Sequence, residues 1–404
     1  MIFYVSEFFS SFSTLQMFMV CYNTFMNKQV DIAIIGAGAS GLMFSALLDN
    51  KNIVLIDNNP KVGSKILISG GGKCNVTNGK VKPMNYLGEQ RFIRNIIKRF
   101  DQYDLLKWLS FRGLKPIVRT RNQYFCENSA KELLDVLKAE GSSKRYFLNT
   151  KVQTVEKKDM HFEISTSNGT VVAEKVIVAS GGLSFPKIGA TSIGYDIAKS
   201  FGHTVNTLSA GLVGFTVQPE QFFFKELSGI AIDVKITIDK KEVEGALLFA
   251  HKGISGPAVL DASLYWNKGK ISIDFLPTIS LESLKSSKKN ISKILGLPNR
   301  VAKRFLEALN VEDKSANRLS HQEWQKIEEL KKYSFPPAGT FGYSKAEVTK
   351  GGVATDEIDA SSMMSKKVEN LYFLGEVLDV TGELGGYNFQ WAFSTAFVCA
   401  KGLN

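Results

Sequence analysis

The sequence predicts an α/β fold interrupted by a β-rich section, and three features carry that prediction. First, VDIAIIGAGASGLMFSALL joins an apolar run, Ile32 to Ile35, to a helix through a glycine-rich turn, the pattern of a buried parallel strand entering a helix. Second, from about Gly194 the texture changes to short strands with close turns: LVGFTVQ, IAIDVKITID, ALLFAHKGISGPAVLDAS and KISIDFLP. These fit a small barrel or sandwich. Third, the chain closes on LYFLGEVLDVTGELGGYNFQWAFSTAFVCAKGL, which reads as strand, polar glycine-rich turn and helix.

The first strand–helix junction carries Gly36-x-Gly38-x-x-Gly41, with Ala39 and Ser40 opening the helix. A second buried strand, NIVLIDNN, follows and ends at Asp57. Each glycine has a separate task. Gly36 permits a tight turn, Gly38 lets a pyrophosphate approach the backbone, and Gly41 lets helix and strand pack closely. The helix N-terminus favours negative charge, and Asp57 is placed to accept hydrogen bonds from a ribose.

The next stretch, SKILISGGGKCNVTN, puts three glycines before Lys73, Cys74 and Asn75. It is not a phosphate-binding P-loop, because Leu67 stands where that motif needs glycine and Cys74 follows the lysine. Helices follow over RFIRNIIKRFDQYDLLKWLSFRG and AKELLDVLKAEG, then strands over YFLNTKVQTVEKK, HFEISTSNG and TVVAEKVIVASGG. Val152 lies in the first of these strands. The last runs into Ser180 and Gly181, and ligands in open α/β sheets sit beyond such strand ends. Residues 280–332 read as mostly helical and charged, and β character returns in SKAEVTKGGVAT.

Composition narrows the class. The net charge is +11, yet the lysines are scattered apart from one stretch, KSSKKNISKILGLPNRVAKRF. That pattern reads as a solvated basic face and argues against nucleic acid as a partner. The four cysteines are far apart and no Cys-x-x-Cys occurs, which argues against a zinc site and a disulfide scaffold and suits a reducing cytoplasm. The histidines form no metal-ligand pattern. The first 25 residues contain no Lys or Arg and are broken by polar residues, so they suit neither a secretory signal nor a membrane helix. The expectation is that translation begins naturally at Met26.

A nicotinamide-only dehydrogenase needs the first glycine motif but neither the glycine loop nor the closing unit. A flavin is a wide ring on a long diphosphate tail, and burying it requires bare backbone along much of its length. Gly70 to Gly72 would supply such a wall. The closing helix, starting near Tyr387 or Asn388, would point its amides at the pyrimidine edge of the ring.

These motifs together resemble the BaiN/YhiN-type family of NAD(P)/FAD-dependent oxidoreductases, in order from about Asn27 to the C-terminus. The resemblance implies a Rossmann-like FAD-binding domain built from residues 27–193 and 346–404. It implies an inserted β-barrel with a small helical subdomain over residues 194–345, after an N-terminal extension of residues 1–26. The implied FAD contacts are Gly36, Gly38, Gly41, Asp57, Lys65, Gly71, Gly72, Lys73, Cys74, Asn75, Gly375, Glu376, Gly386, Tyr387, Asn388 and Gln390. Lys73 stands where arginine is usual, and lysine cannot form a planar bidentate fork.

Several residues allow two readings. Cys74 is either a redox group or a packed lining residue. His251 is either a proton donor or a structural turn residue. Glu376 and Asp379 either bind ribityl hydroxyls or are solvated. Thr349, Gly351 and Gly352 either line the ring or form a plain turn, and Tyr387 either stacks near the ring or packs in the core. The expected activity is hydride transfer from NADH or NADPH through FAD to a small organic acceptor or oxygen, as an enone reductase or an amine oxidase. The alternatives are an NAD(P)-only dehydrogenase and a non-catalytic flavoprotein that binds RNA or protein through its basic insert. No membrane association is expected, and neither the substrate nor the oligomeric state is legible.

Overall fold

The computed structural model describes residues 28–48, 51–140 and 144–403. The expectation for residues 1–26 lies outside them. Strand β1 (Lys28–Ile35) leads through the glycine turn into helix α1 (Ala39–Ala46), and β2 (Ile53–Ile56) pairs with β1 in parallel. Helix α2 (Ser64–Ile68), the glycine loop, β3 (Asn75–Asn78) and β4 (Tyr86–Leu87) follow. Next come α3 (Gln90–Arg99), α4 (Gln102–Ser110), the short strands β5 (Ile117–Val118) and β6 (Gln123–Phe125), and α5 (Lys131–Ala139). Asp101 caps α4 by accepting from the Tyr103 and Asp104 amides at 2.8 and 3.0 Å, which fixes where that helix begins.

The sequence predicts one strand over YFLNTKVQTVEKK, but the structure breaks it. Strand β7 (Lys144–Phe147) joins β2 in parallel, and β8 (Val152–Lys158) begins an antiparallel meander with β9 (His161–Thr166) and β10 (Gly169–Val178). Asn149, at φ 50° between them, turns the chain. The main sheet has the order β7-β2-β1-β10-β9-β8. Strand β10 is long enough to hold β9 along its first half and a strand from the C-terminus along its second.

Residue 194, near which the change of texture is expected, lies within helix α6 (Ile193–Ser200). Tyr195, Ile197 and Ala198 of that helix are buried in the first core. The chain therefore leaves this domain only at β11 (Val205–Gly211). The insert comprises β12 (Phe215–Thr216), β13 (Ala231–Ile238), β14 (Lys241–Ala250), β15 (Gly253–Ser255), α7 (Pro257–Tyr265), β16 (Ile271–Asp274), α8 (Asn299–Ala308), α9 (His321–Glu328), β17 (Tyr333–Phe335) and β18 (Gly339–Thr340). Seven of its strands form one sheet, order β17-β16-β13-β14-β15-β12-β18. PAVLDAS, predicted as strand, is helix α7, because Pro257 at its first position presets the helical φ and needs no N–H partner. Over residues 280–332 helix is confined to α8, α9 and short 3-10 turns, and these share one core with the sheet.

The chain returns through β19 (Val348–Val353), antiparallel to β11. Strand β20 (Leu371–Phe373) pairs in parallel with Val176 to Val178 of β10. The chain ends with β21 (Thr381–Gly382) and helix α10 (Tyr387–Leu403), which packs on α1. Among the described residues no helix is long and apolar enough to cross a membrane.

The insert is tied to the crossing strand by a buried cation. Lys350 of β19 donates from Nζ to the carbonyls of Ser263, Leu264 and Trp266, each at 3.1 Å, at the C-terminal end of α7. Burial lowers its pKa to about 8, so it keeps its proton at pH 7. Lys350→Met leaves these carbonyls without that donor and is expected to cost about 2 kcal/mol, read by urea denaturation.

Candidate functional site

One cavity of about 1070 Å³ collects the motifs from both chain ends. It lies just above the range of about 300–1,000 Å³ typical of ligand pockets. The first wall is the turn into α1. Gly36, at φ 109°, runs so close to the end of β10 that a Cβ would sit 2.4 Å from the Ala179 carbonyl. A Cβ added at Gly41 would likewise sit 2.1 Å from the Gly36 carbonyl. Gly38 differs, since a Cβ there meets nothing within 4 Å and would enter the cavity. Ala39 and Ser40 also line it, so the first N–H groups of the helix face the space where a diphosphate is favoured. Asp57 accepts from the Ala37 amide at 2.8 Å and from the Asn59 amide at 2.8 Å, which fixes its carboxylate at the rim.

The second wall is the glycine loop. Gly70, Gly71 and Gly72 have φ of 56°, 66° and 84°, a left-handed run that side-chain residues rarely adopt. Gly71 has nothing within 4 Å of an added Cβ, so bare backbone faces the cavity there. The third wall is the start of α10. Gly386 packs so tightly on Thr77 of β3 that a Cβ would lie 2.5 Å from its carbonyl, and Asn388 and Trp391 line the cavity beside it.

Polar groups converge between these walls. Lys65 of α2 pairs with Glu376 at 2.7 Å, and Glu376 also accepts from the Thr349 amide at 2.9 Å. The insert side contributes Leu212, Pro257, Glu347 and Val348. The Glu347 carboxylate faces the cavity with no hydrogen bond or ion pair to a described residue. Glu347 is exposed to the open cavity, yet the protein around it withdraws enough water to raise its pKa, and Lys65 opposes that rise. Asp261 lies behind it, accepts from the Leu384 amide at 2.7 Å, and is pushed by burial up to about 7.

The predicted contacts divide. Gly36, Gly38, Ala39, Ser40, Asp57, Lys65, Gly71, Asn75, Val152, Ser180, Gly181, Glu376, Gly386 and Asn388 all line the cavity. Gly41, Gly72, Lys73, Cys74, Gly375, Asp379, Tyr387 and Gln390 do not. Gly41 and Gly375 act through close packing, Gly375 against Ser40 with a Cβ distance of 2.1 Å to Oγ. Lys73 reaches the Glu127 carbonyl at 3.5 Å. Asp379 accepts from Asn206 at 2.7 Å. Gln390 is buried, accepts from Thr77 at 2.6 Å and donates to the Phe100 carbonyl at 3.2 Å.

Each weak catalytic candidate is displaced by its packing. Cys74 is fully buried behind the glycine loop, and burial pushes its thiol up to about 12, the opposite of an activated nucleophile. Cys126 comes alongside, its amide donating to the Lys73 carbonyl at 3.0 Å, but it is equally buried. His251 is exposed in the turn between β14 and β15, outside the cavity. Tyr387 packs edge-on against Tyr86, with ring centroids 5.9 Å apart. Thr349 ties the 181–184 turn to β19 by accepting from the Leu183 amide at 2.8 Å. Gly351 is pressed on the Thr207 carbonyl of β11, and Gly352 on the Val377 carbonyl. Glu347, Arg121, Lys151 and Trp391 are lining residues that the sequence did not single out. None sits in a recognisable spacing, so no local signal announces them.

Comparison with known proteins decides the family. Residues 30–402 match the HI0933-like protein Rossmann domain. The chain belongs to this family. It is 40% identical over 393 residues to the ribosomal RNA dihydrouridine synthase of Escherichia coli K12, covering 93% of this chain and 98% of that one. It is 38% identical over 399 residues to the ribosomal RNA dihydrouridine synthase of Haemophilus influenzae, covering 94% and 100%. A 3-dehydro-bile acid delta(4,6)-reductase of Clostridium scindens is 28% identical over 402 residues, covering 92% and 98%. Among solved structures, the Mycobacterium smegmatis Sdh1 complex in the apo form aligns with a TM-score of 0.50 at 12% identity, over 93% of this chain and 68% of that chain, a likeness of fold.

The chain is thus an oxidoreductase of an FAD-dependent family, and its cavity fits that cofactor. Gly38 and Gly71 present open backbone, and the N-termini of α1 and α10 both reach the cavity. Gly38→Leu is expected to leave the stability of the apoprotein near wild type while abolishing the rise in Tm on adding FAD. Gly41→Ala is expected to lower the Tm of the apoprotein itself, because its Cβ meets the Gly36 carbonyl. Thermal unfolding with and without FAD separates the two.

Proposed function

We propose that this chain reduces the C5=C6 bond of a uridine in ribosomal RNA, with FAD in the cavity and NADH or NADPH as the electron source. The carrying observation is the near-full-length identity of 40% and 38% to two proteins of that activity. The third relative is named as a reductase of a different substrate, and its name also implies saturation of carbon–carbon double bonds. The reading departs from the expectation, drawn from scattered lysines, that nucleic acid is not a partner. A ribosomal substrate is also consistent with the cytoplasmic location expected from the cysteines.

Saturating a C=C bond conjugated to a carbonyl adds a hydride at the far carbon and a proton at the near one, while negative charge develops on the carbonyl oxygen. FAD supplies the hydride chemistry when bound. Gly36, Gly38, Asp57 and Gly71 would hold it, and the first amides of α10 would face its ring. Glu347 supplies the proton, since among the described residues its carboxylate lines the cavity without a hydrogen-bond or ion-pair partner, and partial desolvation by the surrounding protein shifts it toward the neutral form. Lys65, held by Glu376, places positive charge beside the same space.

Deleting the gene is expected to remove a dihydrouridine from ribosomal RNA, measured by mass spectrometry of its nucleosides, and the wild-type gene to restore it. Unchanged dihydrouridine would contradict the reading. A general acid must carry its proton, so the rate of uridine reduction is expected to fall as pH rises through the raised pKa of Glu347. Glu347→Gln is expected to lower that rate by about 10²–10⁴-fold and to abolish its decline with pH.

A further inference from the structure

We infer that the RNA lies along helix α4 and the β5–β6 hairpin of the dinucleotide domain, not on the lysine-rich part of the insert. The inference rests on RNA being the substrate. Between Asp104 and Glu127 the chain carries five basic residues, Lys107, Arg112, Lys115, Arg119 and Arg121, and no acidic one. Lys107, Lys115, Arg119 and Arg121 are exposed and make no ion pair with a described carboxylate. In the 285–304 stretch of the insert Lys288, Lys289, Lys293 and Lys303 are likewise exposed without an ion pair to a described carboxylate, so charge alone does not choose between the two surfaces; the exposed rings and the link to the cavity do. Lys285 pairs with Glu282 at 2.6 Å, Arg304 pairs with Glu226 at 2.8 Å, and Arg300 donates to the Glu226 carbonyl.

Aromatic rings are interleaved with this charge. Tyr103, Lys107 and Phe111 recur at four-residue spacing and so share one face of α4 and its C-cap. Phe111 is 78% exposed and Tyr103 is 64% exposed. Lys107 Nζ lies 5.9 Å from the centroid of the Phe111 ring. Exposed rings beside cations that have no carboxylate partner suit bases stacking on a strand whose phosphates the cations hold. The track leads to the chemistry. Beyond Lys115 the chain enters the hairpin, whose turn residues Thr120 and Arg121 line the cavity itself. Arg121 lies across Gly245 of β14, where a Cβ would sit 2.4 Å from its guanidinium nitrogen. It therefore spans from the hairpin to the insert at the cavity wall. A uridine entering the cavity leaves its neighbours on the α4 side, where charge and rings are arranged.

The test is binding of labelled, deproteinised ribosomal RNA to the FAD-loaded protein, titrated at several salt concentrations. The triple charge reversal K107E/K115E/R119E is expected to weaken binding at least tenfold and to flatten the salt dependence by a slope of about 2, as for loss of three single-strand phosphate contacts. Phe111→Ala is expected to weaken it about fivefold or more with the salt slope unchanged. The insert reversal K288E/K289E/K293E is expected to leave binding within twofold of wild type. The flavin absorbance of each variant reports that it is folded and loaded. Weakening by the insert reversal, with none from the α4 reversal, overturns this inference while the RNA reading stands. Absence of salt-dependent binding by the wild type overturns the RNA reading and this inference with it.

Discussion

The site depends on strand β20 adding to the second half of β10. Three register pairs, Val176 with Leu371 through Val178 with Phe373, bring the C-terminal segment into the main sheet. So short a pairing needs support, and the turn after β20 supplies it. The Gly375 amide donates to Thr395 Oγ1 at 3.1 Å, and Trp391 Nε1 donates to the Gly375 carbonyl at 3.1 Å. Because Gly375 has no side chain, the turn can close on Ser40 of α1. Helix α10 then lies on α1, and the amides of both helix N-termini open into one cavity. An insert can interrupt the chain between β11 and β19 without disturbing this, since those two strands carry the chain out and back side by side.

Much of this was legible because the contacts are local. Gly36, Gly38, Gly41 and Asp57 announce themselves by spacing within one strand–turn–helix–strand unit, where elementary sterics assign each a task. The closing helix was placed by its pattern, and it begins at Tyr387 as expected. What failed was the assumption that residues adjacent in a motif share a destination. In the glycine loop the left-handed backbone turns successive residues to different sides, so Gly71 faces the cavity while Cys74 is buried behind it. In the closing segment Asn388 faces the cavity, whereas Gln390 faces Thr77 and Phe100 on the opposite side of the helix.

The insert shows the converse limit. Glu347 immediately precedes β19, and its proposed importance comes from where the return crossing meets the cavity. Lys350, three residues on, looks like a surface lysine and is buried against three carbonyls. Arg121 looks like one cation among many, yet its turn places it at the cavity wall. No local pattern encodes these roles, because each is set by elements more than 80 residues distant in sequence. The lysine-rich stretch of the insert draws attention by density, but it lines no part of the cavity, whereas the turn of the β5–β6 hairpin does.

The central claim is that a single cavity, floored by backbone and supplied with a proton by Glu347, brings FAD and a uracil ring together. The most direct measurement is anaerobic absorbance of the FAD-loaded protein, bleached with NADPH or NADH and then mixed with deproteinised ribosomal RNA lacking dihydrouridine. The account predicts that RNA restores the flavin absorbance and that dihydrouridine appears in equal amount. Flavin that stays bleached with RNA, but recovers with a small conjugated enone, would contradict it.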